Sequence, residues 1–162
     1  MADRDIVTPA RPHALYAAHG YSPAVRAGGL LFVSGQVGAR EDGSPEPELE
    51  AQVRLAFDNL RGILDAAGLT FDDVVDATLM STVPDEAFPL AIRLLPDLWN
   101  GKAPPALTAI GVTWLSGFLF EIKVVATSFS TAPGVAGCSL SSLLSTAAKP
   151  RARFSPWSPS PI

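Results

Sequence analysis

The chain has 162 residues, 48% of them apolar and 17% charged; this supports a packed core and excludes a wholly disordered or collagen-like protein. The formal charge of −4 averages two unlike parts. All 16 acidic residues and nine of the 12 basic ones precede residue 133, whereas residues 133–162 hold Lys149, Arg151 and Arg153, no acid, five prolines and seven serines. One acidic domain is therefore expected over residues 1–132, large enough to need no disulfide or metal staple. Residues 133–162 read as a basic, Ser/Pro-rich extension that does not fold alone. The single cysteine, Cys138, lies in that extension; one thiol allows no intrachain disulfide and is too few for a cysteine metal site. No run approaches the ~20 apolar residues of a membrane span, and the N-terminal residues lack the apolar core of a secretory signal. A cytoplasmic protein with no metal or other cofactor is expected, and the acidic body argues against nucleic acid as a partner.

Residues 1–20 contain Pro9, Pro12, His13 and His19 without a sustained period. They read as an irregular lead-in with a short strand near Leu15–Ala18. Two extended runs, Ala24–Ala27 and Leu30–Gln36, are split by Gly28-Gly29, the signature of a tight hairpin. Leu30 to Val33 is apolar at every position, so both faces of that strand should be covered. A turn at 41–45 precedes a helix from about Leu49 to Ala67, whose Val53, Ala56, Phe57, Leu60, Ile63 and Leu64 form one apolar face. Glu46, Glu48 and Glu50 crowd its N-terminal end, where the helix dipole favours anions. Gly68 reads as a left-handed C-cap.

Val74–Val83 reads as a strand ending at Pro84. A helical pattern runs from Pro84 to Trp99, interrupted by Pro89 and Pro96, which predicts a helix that starts near Pro89 or kinks at Pro96. Leu107–Val112 and Phe120–Phe129 read as the last two strands. In the second of these, Phe120, Ile122, Val124 and Ala126 form the core face. The order β-β-α-β-α-β-β describes an α+β layer, one mixed sheet with two helices on one face. The opposite face, with Val33, Val75, Leu79 and Val125 as candidates, is too apolar for water and has no third helix to cover it. Self-association is the simplest cover.

An ordered set of motifs resembles the RidA (YjgF) family. The first is Gly20-Tyr21-Ser22-Pro23-Ala24-Val25-Arg26-Ala27-Gly28 followed by Leu31-Phe32-Val33-Ser34-Gly35-Gln36. Then come Glu50-Ala51-Gln52, Ala56-Phe57-Asp58-Asn59-Leu60, Ala66-Ala67-Gly68-Leu69, Asp72-Asp73-Val74-Val75, Pro105-Ala106, Thr108-Ala109-Ile110-Gly111-Val112 and Glu121-Ile122. The resemblance spans roughly residues 5–130. It implies a chorismate-mutase-like fold and a homotrimer whose three sheets form a barrel core, with helices outside and ligand clefts between subunits. It also implies hydrolysis of reactive enamine or imine intermediates, such as 2-aminoacrylate, to keto acids and ammonia.

The resemblance carries site residues over one by one. Deaminating members hold the substrate carboxylate with the arginine of a Pro-Ala-Arg-Thr stretch; here it reads Pro105-Ala106-Leu107-Thr108, so Leu107 stands at the arginine position. A bidentate guanidinium supplies charge and orientation together, and a carboxylate facing leucine would be desolvated without a partner. Ordinary 2-imino acids are therefore expected to bind weakly or not at all. Ile92 replaces an asparagine often found on the second helix. Glu121 matches the glutamate near the hydrolytic water, where a carboxylate could orient water or act as a base; the plain alternative is a strand carboxylate paired with Lys123 or a neighbouring chain. Tyr21 matches a tyrosine at the cleft mouth, or is an interface aromatic. Ser34 matches a pocket-lining residue, or is a strand-end hydroxyl bonded to backbone. Thr108 completes the set. Gly35 and Gln36 read as structural, Arg26 as facing solvent, and His13 and His19 as loop histidines. Arg93 and Lys102 are the candidates for a relocated cation, and Trp114 for a residue that narrows the cleft.

Three functions compete. The first is a Rid-type hydrolase of a small, less polar imine. The second is a non-catalytic trimer that binds a metabolite or partner in its cleft. The third, a ribonuclease, rests on the family's older label, translation-inhibiting endoribonuclease, and no basic cleft supports it.

Overall fold

The computed structural model describes residues 5–99 and 103–128. The expected extension 133–162 with Cys138, the residue Lys102 and the end of the expected last strand at Phe129 lie outside the described residues. The described chain forms β1 (Asp5–Val7), α1 (Leu15–His19), β2 (Ala24–Ala27), β3 (Leu30–Val33), β4 (Gln36–Val37), α2 (Leu49–Ala66), β5 (Val74–Ser81), α3 (Pro84–Leu98), β6 (Ala106–Gly111) and β7 (Phe120–Thr127). The strands make one mixed sheet ordered β1-β2-β3-β7-β5-β6, with β4 also paired to β7. Only β5 and β6 run parallel. The fold is α+β, with the two long helices on one face.

Most of the sequence pattern is realised. Gly28 and Gly29 have φ of 59° and 77°, the two left-handed positions of a hairpin turn that suits strand twist. At the end of α2, Gly68 (φ 71°) donates to Asp65 O at 3.0 Å and Leu69 donates to Leu64 O at 2.9 Å. This is the double closure of a Schellman cap. Val53, Ala56, Phe57, Leu60, Ile63 and Leu64 of α2 are buried against Phe120, Ile122, Val124 and Ala126 of β7 in one core.

Four expectations are corrected. The segment near residue 15 is the short helix α1 rather than a strand, and the first strand is β1, paired with β2 through Ile6 and Val25. Second, α3 begins at Pro84 and continues through Pro89 and Pro96. Pro84 occupies the first helical turn, where its missing N–H costs nothing, and both inner prolines face solvent. Third, Val33 and Leu79 belong to the helix-covered core, both almost fully buried. The uncovered face carries Val125, as expected, together with Phe32 (45% exposed) and Ile110. Fourth, Arg26 is engaged: it donates to Asp5 Oδ2 at 3.3 Å and to Ala67 O at 2.8 Å, where a cation opposes the negative end of α2.

β6 forms the sheet edge and is exposed on both sides along its whole length. Its free edge and the apolar patch of Phe32 and Ile110 leave the described domain with surface that monomers rarely present. Trp114, 74% exposed in the link from β6 to β7, adds to it.

Candidate functional site

Phe32 pairs with Val125 and Gln36 with Ile122, so residues 33–35 stand opposite only residues 123 and 124. This extra residue is a bulge, a device that re-aims side chains beside sites. At the bulge, the Ser34 N–H donates to Pro23 O at 2.9 Å and the Ser34 hydroxyl donates to Ser22 O at 2.7 Å. Ser34 thus clamps the segment carrying Tyr21 and meets the reading of a strand-end hydroxyl spent on backbone.

Gly35 does more than expected. A Cβ built on it would fall on the Glu121 carboxyl group, so glycine is what lets that carboxyl fold over the bulge. Glu121 lies on the uncovered face, half-buried. Burial pushes its carboxyl above the usual 4.5, with Lys123 pulling the other way. No ion pair joins the two among the described residues, so the alternative of a carboxylate simply paired with Lys123 is not realised. Burial and the Glu121 charge push the Tyr21 phenol up. Tyr21 is held edge-on against Tyr16, ring centroids 5.2 Å apart. Tyr16 donates to Gln36 Oε1 at 2.7 Å, and Gln36 Nε2 donates to Ser34 O at 2.8 Å and Gly35 O at 3.2 Å. The buried Gln36 thus braces the bulge from the core side, in keeping with its structural reading.

The structure brings Glu121, Tyr21, Ser34 and Gly35 together. It does not bring Leu107 and Ile92 to them within one chain. Leu107 pairs with Ala77, which pairs with Val124; both partners belong to the helix-side core. Leu107 therefore projects from the helix side of the edge strand, 46% exposed. Ile92, on α3, is exposed on that side as well. Thr108 pairs across Thr78 with Lys123, so it shares the uncovered face with Glu121, two strands over and two residues along, or roughly 12 Å. Arg93 is exposed on α3. Among the described residues, no group of three or more His, Cys, Asp or Glu is placed to hold a metal ion. No described helix is long and apolar enough to cross a membrane.

A carboxyl with a raised pKa beside a phenol can hold a proton, release it to a bound molecule and take another from water. Among the described residues, the motif's arginine position is Leu107, and Lys123 is the cation nearest the Glu121 carboxyl by its electrostatic effect.

Comparison with known proteins places this geometry. The family model described as endoribonuclease L-PSP matches residues 11–128. The chain is 55% identical over 126 residues to the RutC family protein YjgH of Escherichia coli strain K12, covering 78% of this chain and 96% of that protein. A solved structure titled protein YJGH, 55% identical, superposes with a TM-score of 0.73 over 76% of this chain and 95% of that one. The structure of RidA from an Antarctic Psychrobacter, 26% identical, superposes with a TM-score of 0.68 over 76% of this chain and 98% of that one. The chain belongs to the YjgF/RidA family, which the endoribonuclease L-PSP model describes.

Proposed function

We propose that the protein is a cytoplasmic Rid-type hydrolase of reactive enamines or imines, assembled as a homotrimer and selective for substrates without the usual carboxylate. The observation that carries this reading is the Glu121 carboxyl, half-buried, with its pKa raised by burial, in no ion pair among the described residues and laid over Gly35. Protonated, Glu121 delivers its proton to the enamine carbon or imine nitrogen. As the carboxylate, it then takes a proton from the water that adds to the C=N carbon. The resulting carbinolamine expels its nitrogen as ammonia and leaves a carbonyl. Tyr21 orients the substrate at the mouth of the site.

The other wall comes from a second subunit. The exposed edge strand β6 and the apolar patch of Phe32 and Ile110 support an assembly in which Leu107, Ile92 and Thr108 of one chain approach Glu121 of another. Leu107 and Ile92 make that wall apolar, which disfavours 2-aminoacrylate and suits an imine with a hydrocarbon substituent. The same apolar wall also favours a second reading, a non-catalytic trimer that stores or senses a metabolite.

The test supplies imines generated in place, 2-aminoacrylate from a pyridoxal-phosphate-dependent dehydratase and carboxylate-free imines from an amine oxidase. Carbonyl and ammonia release are followed. Acceleration confined to the carboxylate-free imines and abolished by Glu121→Gln is the expected result. Saturable thermal stabilisation by an imine analogue without any turnover would favour the binding module, and rapid loss of 2-aminoacrylate would overturn the role given to Leu107. RNA cleavage lost in Glu121→Ala would restore the nuclease reading.

A further inference from the structure

Beside the bulge, a hollow in the same chain adjoins Glu121. Ile6, Thr8, Pro12, Ala17, Tyr21 and Pro23 line a pocket of about 390 Å³, within the size range of small-molecule sites. It lies between β1, α1 and the segment that leads into β2. No Asp, Glu, Lys or Arg lines it. Tyr16 reaches it too, but its hydroxyl is spent on Gln36 at 2.7 Å, so what it offers is its ring. The pocket has apolar wall and no formal charge with which to hold an ion.

The pocket is on the face that carries Glu121. Ile6 pairs with Val25, Val25 with Phe32 and Phe32 with Val125, and residues opposite one another across a sheet project to one side. Val125 shares that side with Glu121 by the alternation along β7. Ile6 is 56% exposed there. A second link is shorter. Ser22, on the pocket wall, accepts the Ser34 hydroxyl at 2.7 Å, and the next residue, Gly35, lies under the Glu121 carboxyl. One hydrogen bond and one residue thus separate wall from carboxyl, or roughly 9 Å. Tyr21 belongs to both: it lines the pocket, and burial and then the Glu121 charge push its phenol up.

We propose that this pocket is the subsite for the uncharged arm of the substrate, which narrows the hydrolase reading, on which it rests, to imines bearing an aryl or alkyl arm. With its nitrogen hydrogen-bonded to Glu121, an imine whose phenyl ring stands one methylene from the C=N carbon spans roughly the same 9 Å. The ring then lies against Tyr21 and Ile6. A carboxylate in that place would lose its water and gain no partner. Ile6 and Ala17 are specificity-determining residues that do not touch the reacting atoms.

The full-length protein is given imines made in place by an amine oxidase from propylamine and from 2-phenylethylamine, and kcat/KM is compared. A preference of at least about tenfold for the phenyl imine is expected. Ala17→Trp fills the pocket from an exposed position of α1. It should abolish the preference by raising KM for the phenyl imine, with the propyl imine kept within about twofold of wild type. Ile6→Lys, on exposed β1, should do the same by placing a charge in the pocket. A binding probe, 2-phenylethanol, should shift the Ile6 methyl NMR signals saturably in wild type and in Glu121→Gln, and not in Ala17→Trp. Equal rates for the two imines, or variants that slow both alike, would overturn the proposal. Hydrolysis of both imines with no shift at Ile6 would overturn the pocket assignment and leave the hydrolase reading standing. Hydrolysis of neither would overturn that reading, and the subsite with it.

Discussion

Replacing Gly35 with alanine would move the Glu121 carboxyl without deleting it. The added methyl falls on the carboxyl end of a flexible side chain, so the carboxyl swings away toward water. Gly35 lies outside the positive-φ region, so alanine brings no backbone strain. It even stabilises by about 0.4–1 kcal/mol by restricting the unfolded chain. Two effects of different kind should follow. Loss of a positioned acid/base group lowers imine hydrolysis on the order of 10²–10⁴-fold. Re-exposure also lets the Glu121 pKa relax toward its usual 4.5. The sign of the linked stability is set by the direction of that shift. A carboxyl raised on folding gives stability that is complete below the unfolded value and is lost as pH rises through the folded value. The Glu121 contribution to stability therefore falls as pH rises above 4.5, and Gly35→Ala should remove part of that fall, read as the difference between the two proteins over the same interval. Carboxyl NMR titration, thermal unfolding across pH and hydrolysis rates read the three consequences separately. A relaxed Glu121 pKa with undiminished hydrolysis would refute an acid/base role for Glu121. An unchanged pKa with lost hydrolysis would refute the positioning role of Gly35.

Leu107→Arg should raise 2-aminoacrylate hydrolysis by about thirtyfold to several thousandfold, the kinetic equivalent of a buried carboxylate–guanidinium contact of about 2–5 kcal/mol; steady-state rates with the dehydratase-coupled assay check it. If the site is shared, the double variant Leu107→Arg/Glu121→Gln should be inactive alone and regain activity when refolded with wild-type chains, and a mixture no better than wild type would argue against sharing. Gln52 accepts from Leu119 N at 2.6 Å and donates to Glu46 O at 2.9 Å. Phe120 N also donates to Gln52, at 3.3 Å; Gln52→Ala should therefore deprive three backbone groups of a partner and cost about 3 kcal/mol, lowering the melting midpoint by about 10 °C in calorimetry. Removal of residues 133–162 should leave the oligomer and its melting midpoint unchanged, as measured by light scattering and thermal unfolding.

The parts of the fold that were legible share one cause: each depends on a local pattern that tertiary structure did not override. The spacing along α2, the alternation along β7 and the glycine pair between β2 and β3 all survive, because each pattern is satisfied by a single neighbouring layer. Val33 and Leu79 were placed on the wrong face for a complementary reason. Strands apolar at successive positions carry no alternation to phase them. Only the register of Phe32 with Val125 and of Leu79 with Ile122 decides which side chain meets α2 and which stays outside. The prolines of α3 misled because sequence shows the lost donor but not its location. Both face water, where the freed carbonyls can be hydrated.

The site divides along the same line. Tyr21, Ser34 and Glu121 stand out by motif as candidates, but the motif is silent about what positions them. Gly35 and Gln36 read as structural, yet the absence of a side chain at one makes room for the Glu121 carboxyl. The amide of the other braces the bulge on which that carboxyl rests. Leu107 shows a sharper difference between sequence and space. In sequence it is 14 residues from Glu121; in the sheet the two project from opposite faces across two strand spacings. No side-chain rotation within one chain joins them. A substitution at Leu107 can change chemistry at Glu121 only if another copy of β6 packs against the uncovered face. The apolar surface left by Phe32 and Ile110 and the selectivity assigned to Leu107 are thus one problem: whatever buries the first decides whether the second faces a substrate at all.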